Sequence, residues 1–586
     1  MNSQMTQRIV LTGTGAAAGL ALFALSQMAE AGVLSGRPLL GVSAFAACFF
    51  AALLGMAGPL SVRRALLGAL GIATVVSVLL SVAALGFGSA QDVLDSPHAV
   101  LGAVILTLVP MPFWIAHQGA GWRDYPTLFG ESWAIVVRAV AGWAFVGLVW
   151  AVIFLSDALL KVVGIDLIDR VVDMGPARWL ITGAVLGLGL AVVQELSDYV
   201  SPYLMLRLLR LLLPVVFVVS VVFLLALPLR GEAALFGMWS FALTLLTMAG
   251  AVATLVTTAV DQDDSQATQS PLLMHLARAM ALMLPLMAGL GAWAVWVRVA
   301  QYGWTPGRVF AAEVAALGVG YGVLYALAVL RGAGWMARVR QANVAMALAL
   351  MAVAALAMTP ILSAERLSAN SVMARLEDGR MPVADLDASL LLRWGKAGAA
   401  AMATLDARAQ EPGQGELARR LALARSGASP TSEDRASLLA DLAALLPLQP
   451  QSATATRDMY LDTMDSYRLI ALRDACRRPM PGGGAGCVMV VADLHPNSPG
   501  EEAIVIEYTS SGFVQFSGFF LHFNGFSNDM NQGPMMREVQ PVNGVLPQYE
   551  EGAALIRAWQ TAPPPAMPVP MNQLNMPDGG GLVILP

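Results

Sequence analysis

The residues in this chain whose types and positions could do chemistry fall into three sets. The first consists of ionisable side chains inside long apolar runs. Glu313 lies two turns into a run that opens on Trp304-Thr305-Pro306. Glu195 and Asp198 are three residues apart, hence on one helix face, and Arg207 and Arg210 follow them. Arg138 sits near the start of another run. A charge in hydrocarbon is costly, so such residues mark ion or proton routes, or pair with a counter-charge. A relay requires the carboxylates to face one shared cavity. The simpler expectation is that these groups lie at the interface, or pair with arginines and hold helices in register.

The second set is Cys476 and Cys487, which flank a Gly-rich turn. Their spacing is not that of a redox motif, and no histidine pair accompanies them as a metal clip would require. A disulfide is expected, contributing on the order of 3 kcal/mol by closing so short a loop. Cys48, in an apolar run, reads as a small apolar side chain.

The third set is the stretch from Asp493 to Glu501, which distantly resembles an oxygen-rich calcium loop. His495 stands where a carboxylate is needed and two prolines stiffen the stretch, so a turn between strands is the better expectation. The histidines His98, His117, His275, His495 and His522 show no zinc-ligand spacing. No Gly-x-Ser-x-Gly, kinase or paired-histidine protease motif is present. Neither Gly13–Gly19 nor Gly482–Gly486 has the strand, helix and lysine context of a nucleotide cradle. No cofactor, metal or catalytic residue is therefore assigned.

What must position these groups is a membrane bundle. The chain has 586 residues, 57% of them hydrophobic and 13% charged, against about 45–50% and about 25% in soluble domains. Runs able to cross about 30 Å of hydrocarbon fall near 8–29, 38–62, 65–86, 98–116, 134–157, 178–197, 208–229, 235–258, 273–296, 308–330 and 340–362. The run 98–116 is interrupted by Pro110 and Pro112, which membrane helices tolerate when neighbours satisfy the freed carbonyls. The segment 158–176 reads as an interfacial helix. Ala29-Glu30-Ala31 has the form of a signal-peptide cleavage site, but the long, Gly-containing run before it favours an uncleaved first helix. Gly15 and Gly19, Gly183 and Gly187, and Gly318 and Gly322 are spaced for close helix packing.

The expected fold is an all-α polytopic bundle of about 11 transmembrane helices (1–362), then a small soluble α+β domain (363–560) and a Pro/Gly-rich disordered tail (561–586). In the soluble part, helices span 365–445 and 457–476, and strands follow at 487–494, 503–508 and 513–523. The basic residues of alternate connections number eleven against seven, with Arg63-Arg64 and Arg331, Arg338 and Arg340 weighing most. By the positive-inside rule the N-terminus is cytoplasmic, and an odd number of spans puts the soluble domain in the periplasm. Net charge is +2 through Ser363 and −7 beyond it, which excludes nucleic acid as a partner of the acidic part. The partners expected are the lipid bilayer and other envelope proteins.

DYPTLFGESW (124–133), AFVGLVWAVIFLSDALLKVVGI (144–165), YGWTPGRVFAAEVAALGVGYGVLYAL (302–327) and GCVMVVADL (486–494) together resemble a bacterial multi-pass inner-membrane family known only as a domain of unknown function. The resemblance implies a helical bundle followed by a small domain and transfers no catalytic or ligand residue. The expected function is non-enzymatic: an inner-membrane protein whose periplasmic domain binds, senses or assembles. The alternative is a secondary transporter using Glu313 and the Glu195/Asp198 face, motivated by Pro110, Pro112, Pro214 and Pro285 as helix breakers.

Overall fold

The computed structural model describes residues 2–195, 202–227, 239–425, 435–494, 501–509, 514–521, 534–538, 549–562, 574–575 and 581–582. Among the described residues, eleven helices, or pairs of helices in line, are long and apolar enough to cross a membrane. They are α1 (Asn2–Glu30), α2 (Gly36–Met56), α3 (Val62–Ala84), α5 (Pro97–Leu108) with α6 (Pro110–His117), α7 (Tyr125–Val162), α9 (Ala177–Glu195), α10 (Pro202–Leu211) with α11 (Leu213–Ala226), α12 (Trp239–Val260), α13 (Pro271–Tyr302), α14 (Pro306–Leu330) and α15 (Trp335–Ala357). Short helices α4 (Gln91–Leu94) and α8 (Leu167–Val172) sit in connections. The chain is a multi-pass membrane protein.

Two of the expected irregularities differ. The helix through Tyr125 is continuous for 38 residues, about 57 Å at 1.5 Å per residue. It takes in both the expected run 134–157 and the start of the interfacial segment. Asp124 caps it by accepting from Thr127 N at 3.1 Å. At its far end Lys161 pairs with Asp157 at 2.7 Å and Asp169 at 2.6 Å, so charge alternation there continues the helix until Gly164. Pro285, taken as a breaker, sits inside unbroken α13. Pro110 does divide the fourth span, and Pro214 lies at the α10–α11 junction.

Glycine spacing decides which helices touch. Gly15 and Gly19 of α1 face Gly183 and the Trp179 carbonyl of α9, and Gly187 faces the Leu11 carbonyl. A Cβ at any of these four glycines would collide with the opposing backbone, which is why the two motifs interlock. Gly322 of α14 packs the same way on α13, where an added Cβ would stand 2.7 Å from Pro285 Cα. Two larger apolar cores lie in the described bundle. One is built on α2, α3, α5 and α6 around Ala52, Met56, Ala69 and Val76. The other lies among α11 to α15 around Leu245, Val256, Met280 and Met287.

The chain divides into two compact units, Met1–Leu421 and Ala422–Pro586. Sequence texture changes at Ser363, but helices α16 (Ala364–Glu377), α17 (Ala388–Arg393) and α18 (Gly395–Ala409) belong to the first unit. Hydrogen bonds hold them there. Arg375 donates to the Ala300 and Gln301 carbonyls at 3.1 and 2.5 Å, satisfying acceptors left open at the end of α13. Trp304 N donates to Ser371 Oγ at 3.0 Å, and Lys396 N to the Gly86 carbonyl at 2.8 Å. The unit boundary falls within α19 (Gly415–Arg425).

The second unit is a five-stranded sheet of order β1-β2-β3-β4-β5, with β1 (Leu448–Gln449) parallel to β2 (Cys487–Ala492). Strands β3 (Glu502–Tyr508), β4 (Val514–Leu521) and β5 (Pro534–Glu538) follow antiparallel. Alternation gives the sheet two apolar faces. Met489, Val491, Ala503, Val505 and Phe519 pack with α20 (Arg435–Leu445), α21 (Thr454–Thr463) and α22 (Ser466–Arg477). Val488, Ile506 and Tyr508 pack with α23 (Tyr549–Thr561). The single helix expected at 457–476 is two, because Asp465 caps α22 by accepting from Arg468 N at 2.7 Å. Cys476 and Cys487 are bridged, with Cα atoms 4.7 Å apart, tying the end of α22 to the start of β2. In the tail, β6 (Leu574–Asn575) and β7 (Gly581–Leu582) pair antiparallel. Most of the tail lies outside the described residues.

Candidate functional site

Glu313 does not stand alone. Its Oε2 lies 3.4 Å from His98 Nε2, and only 4% of the His98 side chain and 13% of the Glu313 side chain are exposed. His98 is the second residue of α5, whose start is set by Ser96 and Pro97. Proline at the first turn of a helix loses no hydrogen bond. Glu313 is seven residues into α14, about 10 Å along it, whose first turn Thr305 caps. The His98 ring stands edge-on to Phe310, with centroids 5.5 Å apart. Among the described residues, neither ring nitrogen nor Glu313 Oε1 has a hydrogen-bond partner. Buried polar atoms without partners are uncommon, and they mark places where a water or ligand belongs.

Glu365, in the first turn of α16, is the next charged group, and its field reaches both His98 and Glu313. Its Oε1 accepts from Ser96 Oγ at 3.3 Å and its Oε2 from Ser363 Oγ at 3.1 Å. Ser363 also caps α16, accepting from Arg366 N at 3.2 Å. Beside this cluster lies a cavity of about 470 Å³, lined by His98, Glu365, Arg366, Asn370 and Lys396 and by apolar residues including Val82, Phe87 and Met358. It sits where α3 and α15 end and α5 begins, under α16 and α18. Consecutive spans alternate in direction, so these ends share one side of the bundle.

The other predicted site residues lie elsewhere. Glu195 ends α9, and both its oxygens accept from Arg8 of α1, Nε lying 2.8 and 3.0 Å away. Arg138 donates to Glu131 Oε2 at 3.1 Å, to Gln194 Oε1 at 3.4 Å and to the Ala134 carbonyl at 3.1 Å. Asp198, His495 and His522 are outside the described residues. Glu195 and Glu313 belong to the sixth and tenth spans, which run in the same direction, and they sit at opposite ends of those spans.

A network not foreseen from sequence closes the Glu195 side. Arg210 pairs with Asp261, which is 2% exposed, and donates to the Thr258 and Gln266 carbonyls at 2.7 and 3.1 Å. Arg340 donates to the Val260 and Asp261 carbonyls at 2.7 and 3.0 Å and to Asp264 at 2.7 Å. Both arginines thus cap the C-terminus of α12, where cations are favoured. Asp261 takes a left-handed conformation, φ 53°, one that Asp tolerates better than most residues. In the same loop the Ser265 hydroxyl and the Gln266 N–H hold the Asp263 carboxyl below the usual carboxylate range.

Among the described residues no group of three or more His, Cys, Asp or Glu side chains is placed to hold a metal ion. His98 is the functional candidate that sequence spacing missed. The available signal was an ionisable ring at the head of a span, which the intramembrane criterion applied to Glu313 also covers. No family model, curated protein or solved structure matches the chain.

Proposed function

We propose that this is a non-enzymatic protein of the bacterial inner membrane whose soluble C-terminal portion faces the periplasm and binds, senses or assembles with other envelope components, with the bundle as its anchor. One observation carries this reading. Glu195 and Glu313 are held at opposite ends of their spans, each beside its own partner, Arg8 and His98. A proton or ion relay needs them on one route. The excess of arginine in the connections on the Arg8 side supports a cytoplasmic N-terminus, and the Cys476–Cys487 bridge fits an oxidising compartment.

Topology is tested with a periplasm-active reporter fused after Gly552, together with thiol labelling of Cys476 and Cys487 in intact cells. The reporter should be active, and the two thiols should resist labelling until reduced from outside. Thiols that are free and reached only from the cytosol would overturn the orientation. The anchor reading is tested in proteoliposomes carrying an imposed pH gradient. Wild type and Glu313→Gln should dissipate it at the same rate. A flux present in wild type and lost in the variant would instead make the protein a proton-coupled transporter.

A further inference from the structure

The cavity beside His98 has chemistry that no contact within the described protein satisfies. Its walls are chiefly apolar, with Val82, Phe87 and Met358 among them. It lies level with the ends of three spans, the depth at which lipid head groups meet hydrocarbon. His98, 96% buried as a side chain, lines it with Nδ1 unpartnered and Nε2 set 3.4 Å from Glu313 Oε2. Two cations, Arg366 and Lys396, line it as well. Neither guanidinium nor ammonium has an ion-pair or hydrogen-bond partner among the described residues. The one carboxylate in the lining, Glu365, offsets only one of the two cations, so the lining keeps a surplus of positive charge.

We propose that this cavity binds one anionic phospholipid. The phosphate lies against Arg366 and Lys396, a head-group hydroxyl bonds the free His98 nitrogen, and the upper acyl chain covers the apolar wall. A free phosphate would leave that wall unfilled, and a neutral lipid would leave the cations unmatched. A space of about 470 Å³ falls in the range of formed ligand sites and accommodates a head group with the first part of its chains. The assignment goes beyond the reading above, which gives binding to the soluble portion, because this cavity lies in the first unit.

The full chain is purified in neutral detergent and titrated with phosphatidylglycerol, phosphatidylcholine and inorganic phosphate, with bound species read by native mass spectrometry. Phosphatidylglycerol should bind at one site, at least tenfold tighter than phosphatidylcholine, and inorganic phosphate should not displace it. The double variant Arg366→Gln/Lys396→Gln changes two exposed side chains, so folding should be preserved. It should weaken phosphatidylglycerol about thirtyfold, roughly fivefold for each cation beside the head group. His98→Phe keeps the ring volume and should weaken it severalfold. Equal binding of the two lipids, saturation by inorganic phosphate alone, or a double variant within twofold of wild type would each overturn the assignment. No vectorial step is read, so these outcomes are independent of the topology and proteoliposome results.

Discussion

The interlocked glycines of α1 and α9 give the sharpest energetic test of the fold. Adding one methyl group at Gly183 would put a Cβ 2.9 Å from the Gly15 carbonyl carbon and 3.2 Å from Gly19 N, with the Gly15 oxygen closer still. Carbon atoms in van der Waals contact sit about 3.5–4.0 Å apart, and with the oxygen nearer still the two helices must part by about 1 Å. A gap of that size forfeits a quarter to a half of the dispersion energy along the crossing, and overpacking of this kind costs about 1–3 kcal/mol. Alanine returns about 1 kcal/mol through helix propensity, leaving a net loss of about 0–2 kcal/mol for Gly183→Ala and a deficit of about 1–3 kcal/mol against an alanine that meets no clash. Gly71, in α3, is the control, because an added Cβ there meets nothing within 4 Å. Gly71→Ala should be neutral or stabilising by up to about 1 kcal/mol. The measurement is reversible unfolding by SDS titration in mixed micelles, followed by tryptophan fluorescence, with Trp179 placed in α9. Equal stabilities for the two variants, within about 0.5 kcal/mol, would refute the claim that backbone contact holds this crossing.

Two further outcomes follow from the same structure. Arg210→Ala leaves the Asp261 carboxylate buried without its partner and should cost about 3–5 kcal/mol in the SDS titration. Glu195→Gln breaks an ion pair whose arginine is half exposed and should cost far less; a reversal of that order would sink the burial argument. Cys476→Ser/Cys487→Ser removes a short-loop bridge and should destabilise the second unit by about 3 kcal/mol. Limited proteolysis of the full chain should then cut faster within 435–562, and an unchanged rate would show that the bridge adds nothing to the stability of that unit.

The membrane architecture was legible in the sequence because the bilayer imposes a local rule. Every span must be apolar over about 20 residues and satisfy its own backbone, so hydropathy alone located all eleven. Strands β2 to β4 were readable for a similar reason, since runs such as CVMVVA and EAIVIEY bury both sheet faces, and the Cys476–Cys487 bridge followed from proximity along the chain. The glycine pairs were visible too, but not their partners: spacing marks a face that permits close approach, and only packing chose Gly183 for Gly15 and Pro285 for Gly322. The same division governs the polar groups. Glu313, Glu195 and Arg138 stood out as charges in apolar surroundings, yet their roles depended on what the fold set opposite them, which was His98, Arg8 and Glu131. Ser363 marked a real change of texture, while hydrogen bonds from Arg375, Trp304 and Lys396 decided where the first unit ends. Composition reports what a residue costs to bury. Which group offsets that cost is a long-range choice made only when the chain folds.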